Sequence, residues 1–140
     1  MICYDLKTLQ KAYCSGENCR FLFFWGHTPP ADGHVNESCL SQWWMARFEI
    51  EGITYSCAEQ FMMAEKARMF GDGEMLSMIL KAKHPKEMKA YGRAVRNFDK
   101  DKWDGACYEI VKRGNLAKFS QNPELWDYLK STKRRILVEA

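Results

Sequence analysis

Up to about residue 55 the apolar positions come in short runs or alternate with polar ones, and beyond it they recur mostly at helical spacing. Strands and loops should therefore lead, and helices follow. Phe21-Leu22-Phe23-Phe24-Trp25, bounded by Arg20 and Gly26, is a continuous apolar run of strand length and predicts a buried strand. Residues 26–38 hold two prolines and two glycines between apolar segments and predict the longest loop. A loop of that length in a compact domain is functional or simply mobile. Phe48-Glu49-Ile50 and Ile53-Thr54-Tyr55 alternate around Glu51-Gly52, a β-hairpin signal.

Ser56-Cys57-Ala58-Glu59 has the S-x-x-E form of a capping box and opens a helix to about Phe70. Asp72 can cap a second helix through Leu80. Pro85 suits the first turn of a third, ending near Gly92. A longer helix should run from about Asp101 to Phe119, interrupted or kinked at Gly114. Asn122-Pro123-Glu124 supplies a cap, a first-turn proline and an acidic first turn for a helix through Leu129. Ile136-Leu137-Val138 can close the fold as a strand. The expected class is α+β: one compact, helix-rich domain over residues 1–140 with a small sheet.

Composition narrows the function classes. Hydrophobic residues make up 46% and charged residues 28%, as in an ordinary globular protein and unlike a disordered one. No apolar run approaches the ~20 residues that span a bilayer, and the start, Met1-Ile2-Cys3-Tyr4-Asp5, has no basic-then-apolar signal pattern. A cytoplasmic protein with no membrane partner is expected. The net charge of +3 is concentrated late, since residues 111–140 hold seven Lys/Arg against three Asp/Glu. Such an end can attract phosphate, or it can be a solvated helical face. Nothing in it has the form of a DNA-binding arm.

The six cysteines, at positions 3, 14, 19, 39, 57 and 107, read as reduced thiols in that compartment. Cys14, Cys19, His27 and Cys39 can be drawn as a zinc site, but they contain no C-x-x-C pair and their spacing fits no common structural zinc pattern. Neither a metal nor a cofactor is expected. Cys57 and Cys107 fall in apolar contexts suited to a core.

One helix carries a candidate constellation. Glu59, Met62, Met63 and Lys66 stand at i, i+3, i+4 and i+7, so a carboxylate and an amine share one face, about 10 Å apart along the axis. A small ligand can lie across that gap, where burial would tune both groups. Each residue also has a plainer reading: Glu59 as a cap, the methionines as core, Lys66 as a solvated edge. Trp25, Trp43, Trp44, Trp103 and Trp126 offer indole faces for a base or a sugar, or simply fill the interior. Gly92-Arg93 offers a turn and a guanidinium that can clamp phosphate or form an ordinary surface pair.

These residues also carry a family resemblance. Ser41-Gln42-Trp43, the hairpin, Glu59-Gln60, Glu65-Lys66-Ala67, Pro85, Lys89, Gly92-Arg93, Asn97-Phe98, Trp103-Asp104, Gly114-Asn115, Lys118 to Pro123 and Leu137 to Ala140 follow one another in a familiar order. From about Phe21 onward the chain resembles the NADAR superfamily, the YbiA-like proteins. The resemblance implies a small α+β fold and an N-glycosidase. Its substrate class would be a phosphorylated ribosylamine of the early riboflavin pathway or an ADP-ribosylated guanine. Glu59 and Lys66 become the candidate catalytic pair. Arg20, Trp25, Gln60, Gly92, Arg93 and Trp103 become the candidate substrate contacts, with Trp103, Arg93 and the Glu59–Lys66 face meeting in one pocket.

Two departures accompany the match. Thr132-Lys133-Arg134 stands where the family often has Thr-Gly-Asp or Thr-Gly-Asn. Family chains also usually continue past the segment matched by Leu137 to Ala140, through an aspartate and a Trp-Gly stretch that helps close the site, so a domain lacking that segment is expected. The alternative reading is a non-catalytic module that binds NAD, ADP-ribose or a similar nucleotide. The oligomeric state is left open.

Overall fold

The structure is a computed structural model and describes residues 5–140. Cys3 lies outside that range. Six helices, α1 (Leu6–Cys14), α2 (Ala58–Met69), α3 (Gly73–Lys81), α4 (Pro85–Arg93), α5 (Lys100–Ser120) and α6 (Pro123–Ser131), combine with β1 (Phe21–Phe24), β2 (Phe48–Ile50), β3 (Ile53–Tyr55) and β4 (Ile136–Glu139). The class is α+β, as expected. The strands form two separate pairs rather than one sheet: β2–β3 is the hairpin, antiparallel with Phe48 opposite Tyr55, and β1–β4 is parallel with Phe21 opposite Ile136 and Phe24 opposite Glu139.

The cap chemistry explains the helix boundaries. Asp72 accepts from the Met75 amide at 3.1 Å and starts α3, while Pro85 and Pro123 sit in the first turns of α4 and α6. Helix α1 has no counterpart among the elements expected above. Its signal is an Asp5–Thr8 cap, in which Asp5 accepts from both the amide and the hydroxyl of Thr8 at 2.8 Å. Only Ala12 of α1 is buried, so little periodicity announces it.

Helix α2 is the centre of the molecule, packed against α3, α4 and α5. It is enclosed on most sides, with Ala58, Phe61, Met63, Ala64 and Ala67 buried. Phe61 meets Tyr55 and Phe48 at ring-centroid distances of 5.1 and 6.3 Å. Two glycines let helices approach this column closely. A Cβ at Gly92 would fall 1.9 Å from Met63 Sδ, and one at Gly114 would fall 2.8 Å from Phe61 Cδ1. The break expected at Gly114 is therefore absent. Helix α5 runs without interruption from Lys100 to Ser120, and Gly114 is required by packing, at a cost of about 1 kcal/mol in helix propensity.

Strand β1 is less enclosed than its apolar run implied, since Phe23 is 51% and Trp25 69% exposed. Among the described residues its one strand partner is β4, which leaves its other edge unpaired by a strand. No helix among the described residues is long and apolar enough to cross a membrane.

Candidate active site

The first turn of α2 sets the position of Glu59. The expected capping box does not form. Cys57 is the N-cap and makes no side-chain cap bond, while Gln60 Oε1 accepts from the Ser56 amide at 2.7 Å. Gln60 Nε2 also donates to the Ile79 carbonyl at 3.0 Å. Gln60, expected as a substrate contact, thus satisfies the helix start and ties α2 to α3, and it does not line the cleft beside Glu59. Glu59 is released from capping, and its carboxylate faces a cleft.

That cleft, of about 380 Å³, is lined by Gln42, Trp43, Glu59, Met62, Lys66, Lys89, Arg93 and Glu139 among others. Lys89 and Arg93 are one turn apart on α4 and present two cations along one side. The floor is α2, with Met62 between Glu59 and Lys66. The far wall is the loop after the 3₁₀ turn at Glu37–Leu40. It is joined to α2 by the Glu59 amide, which donates to the Gln42 carbonyl at 3.0 Å, and by the Ala46 amide, which donates to the Ser56 carbonyl at 2.9 Å.

Burial is the largest influence on Glu59, only 4% exposed, and it pushes the carboxyl above the usual range. Lys89, a hydrogen bond from the Trp43 side chain and Arg93 pull the other way, and Glu139 adds a like charge. Lys66 is half-buried. Desolvation first and Arg93 second lower its pKa, with Cys107 and Glu59 opposing. Burial therefore outweighs the attraction of Glu59, and the net shift of the amine is downward. Its Nζ lies 4.5 Å from the Phe98 ring centroid and 5.8 Å from that of Trp103.

A second lysine stands behind the wall. Lys118, fully buried, donates to the carbonyls of Cys39 at 2.6 Å and Ser41 at 2.9 Å. Burial brings its pKa down to about 8. It lines no part of the cleft, but it fixes the backbone that supplies Gln42 and Trp43.

The eight candidates from the sequence thus divide. Glu59, Lys66 and Arg93 share the cleft, and Trp103 stands beside Lys66 without lining it. Gly92 serves the α2–α4 contact, not a phosphate turn. Arg20 lines a different cavity with Arg134, at the opposite end of the β1–β4 pair, and Trp25 is an exposed residue past the end of β1. Lys89, Trp43 and Glu139 are members the sequence reading did not select. Lys89 had a usable signal, four residues before Arg93 on an expected helix. Trp43 had one as an indole face in the Ser41-Gln42-Trp43 motif, whereas Glu139 had only its place in the terminal motif, because long-range packing alone brings it to Glu59.

Among the described residues no three His, Cys, Asp or Glu side chains are placed to share a metal ion. Cys39 packs with Trp44, Phe119 and Leu125, and Cys57 with Ala82 and Met88, each thiol pushed up to about 11 by burial. Cys107 is only half-buried, on the Lys66 side.

Comparison with known proteins accords with this geometry. The NADAR domain matches residues 23–140. An N-glycosidase of Acanthamoeba polyphaga mimivirus is 38% identical over 130 residues, covering 89% of this chain and 74% of its own length. Protein irg-1 of Caenorhabditis elegans is 34% identical over 91 residues, covering 63% of this chain and 42% of that protein. The NMR structure of the Escherichia coli protein YbiA superposes with a TM-score of 0.70 at 22% identity, covering 86% of this chain and 66% of that one, a likeness of fold. The match over residues 23–140 takes in every cleft residue, and the chain belongs to the NADAR domain family.

Proposed function

We propose that the protein is an N-glycosidase whose cleft holds a phosphorylated N-ribosyl compound and hydrolyses the bond between C1 and nitrogen. The observation that carries this is the placement of a buried carboxyl and a partly buried amine on either side of Met62, beside a cationic edge. The name of the mimivirus relative supports the reaction class. Lys89 and Arg93 suit a phosphate or pyrophosphate, and Trp103 is near enough to Lys66 to cover the sugar. The substrate classes are a phosphorylated ribosylamine of the riboflavin pathway and an ADP-ribosylated guanine. A reducing, cytoplasmic setting fits the free thiols of Cys14, Cys19, Cys39, Cys57 and Cys107.

The step can be written through the two groups. Glu59 in its protonated form gives its proton to the leaving nitrogen as the C1–N bond breaks. Neutral Lys66 attacks C1, and the proton it sheds returns to Glu59. Opening of the ribose ring then yields an imine, as the N–H proton remaining on the Lys66 nitrogen passes to the ring oxygen. Water adds to the imine carbon and releases the sugar, restoring free Lys66. The other route has water attack C1 directly while ionised Glu59 steadies the oxocarbenium-like centre.

The experiment is turnover of both substrate classes followed by mass spectrometry of the released base, with borohydride added during the reaction. A reduced sugar adduct on Lys66 is expected. Turnover without an adduct selects the direct route. Tight binding of ADP-ribose with no release of base from either class selects a nucleotide-binding module and overturns the enzyme.

A further inference from the structure

We propose that the apolar groove adjoining the cleft is the seat of the leaving group, and that it takes a planar heteroaromatic base with an amino or ring N–H edge. The inference rests on the hydrolase reading above and names where the two halves of the substrate go. The groove, of about 450 Å³, runs along α5 between Phe24, Val111, Asn115, Phe119 and Leu129. It meets the catalytic cleft at shared residues, Gln42, Met62 and Glu139.

The position of that junction is informative. Met62 lies three residues after Glu59 and four before Lys66 on the same face of α2, so a bond touched by both groups must cross above it. On one side of Met62 the walls carry Lys66, Lys89 and Arg93. On the other they are mostly aliphatic and aromatic. A phosphorylated riboside has the same asymmetry. Reversing it would place a phosphate against Phe24, Val111 and Leu129, without a counter-charge and at a large desolvation cost. The orientation with phosphate toward α4 and base toward α5 is the one that chemistry allows.

Asn115 gives the groove a reading edge. Its Nδ2 donates to the Val111 carbonyl at 3.0 Å, which fixes the amide and leaves Oδ1 as an acceptor for a base N–H. Phe24 and Phe119 add two aromatic side chains to its lining, the residue type on which bases stack. Trp103 stands on the Lys66 side and does not line the groove, so it belongs to the sugar end.

The test uses the two product halves as separate probes: 2-aminopurine, read by its fluorescence, and ribose 5-phosphate, read by calorimetry. Val111→Trp fills the groove and should weaken 2-aminopurine about tenfold or more while leaving ribose 5-phosphate within about twofold. Asn115→Leu keeps the volume and removes the acceptor, so it should weaken 2-aminopurine but not 9-methylpurine, which has no N–H to donate. Turnover of a ribosylaminopyrimidine phosphate and of an ADP-ribosylated guanine in an oligonucleotide separates the two sources of such a base, and Val111→Trp should slow whichever is cleaved. Failure of the folded wild type to bind 2-aminopurine overturns the groove, as does Val111→Trp turning over at the wild-type rate. The hydrolase reading survives either result. Wild type that binds 2-aminopurine with these signatures but cleaves no N-riboside removes the hydrolase reading and leaves the base site standing.

Discussion

Lys66 on α2 and Lys118 on α5 are both amines on which burial is the largest influence, yet one opens on the cleft and the other opens on nothing. Burial brings the pKa of Lys118 down to about 8, and both observed hydrogen bonds of its Nζ go to backbone carbonyls. Lys66 keeps an accessible side among Phe98, Trp103 and the cleft. A depressed lysine pKa therefore does not mark catalysis by itself. What separates the two is whether a reacting atom can reach Nζ. Lys118 holds the wall that carries Gln42 and Trp43, whereas Lys66 lines the cleft proposed to take the substrate.

The sharpest way to break that contrast is Lys66→Arg, which keeps the charge and most of the length but cannot form a stable imine. Turnover should fall by about a thousandfold or more while phosphate affinity stays near wild type, the pattern of an interaction made only along the reaction path. Glu59→Gln should cost about a hundredfold or more and remove the acid–base limb from the pH profile. Full activity in Lys66→Arg would transfer the attack to water.

Lys118→Met is the matching change at the other amine. It leaves the carbonyls of Cys39 and Ser41 without their donor and loosens the wall, so kcat/KM should drop by about tenfold to a hundredfold through misplacement alone. The pH dependence of stability identifies the cause. The folded-state pKa of Lys118 is about 8 against an ordinary 10.5, so in that window the unfolded chain binds more protons and stability rises with pH. The penalty in force below pH 8 is about 3 kcal/mol. Cys39 and Cys57, raised from 9.0 to about 11, act in the opposite sense, because the unfolded thiols ionise first. The net rise should thus be confined to about pH 8–9 and be absent in Lys118→Met. Denaturant titrations at half-unit pH steps measure it, and an equal rise in both proteins would reassign the effect.

Gly92→Ala comes next. The added Cβ meets Met63 Sδ at 1.9 Å, and Met63 can yield only by disturbing the α2–α4 contact. A loss of about 1–3 kcal/mol is expected, seen as a lower denaturant midpoint at unchanged slope. If Gly92 were a phosphate turn, the loss would instead appear in ligand affinity.

Much of this fold is legible in the sequence because caps and prolines punctuate it locally. Asp72, Pro85 and the Asn122-Pro123 pair mark three helix starts, and Glu51-Gly52 marks the hairpin. What escapes is set by distance along the chain. Lys118 reaches carbonyls 77 and 79 residues away, a contact that no window of periodicity contains. Glu59 and Gln60 show the subtler limit. Both stand where a capping side chain belongs, and only the presence of the Ile79 carbonyl beside Gln60 decides which one caps and which one is left for the cleft. The apolar run of β1 misleads for the converse reason, since it pairs on a single edge and Phe23 remains exposed.

The smallest effect expected is at Arg20, and it bounds the site from outside. Arg20 precedes β1, and its carbonyl accepts from the Ile136 amide at 2.7 Å, so it stands at the end of the strand pair where β4 begins. The cleft is at the other end, where Phe24 pairs with Glu139. Four residue steps separate Arg20 from Phe24, about 13 Å at the usual strand rise. Its cavity, shared with Arg134, is a basic recess with no lining residue in common with the cleft. Arg20→Ala should therefore leave kcat and KM for a phosphorylated ribosylamine within about twofold, since an exposed charge at that range is largely screened at physiological salt. An oligonucleotide substrate long enough to reach the recess would respond differently, with KM rising and kcat unchanged. Steady-state kinetics on the two substrates, run side by side, read this directly. A large fall in kcat on the small substrate would bring Arg20 back into the site and displace the boundary drawn along β1.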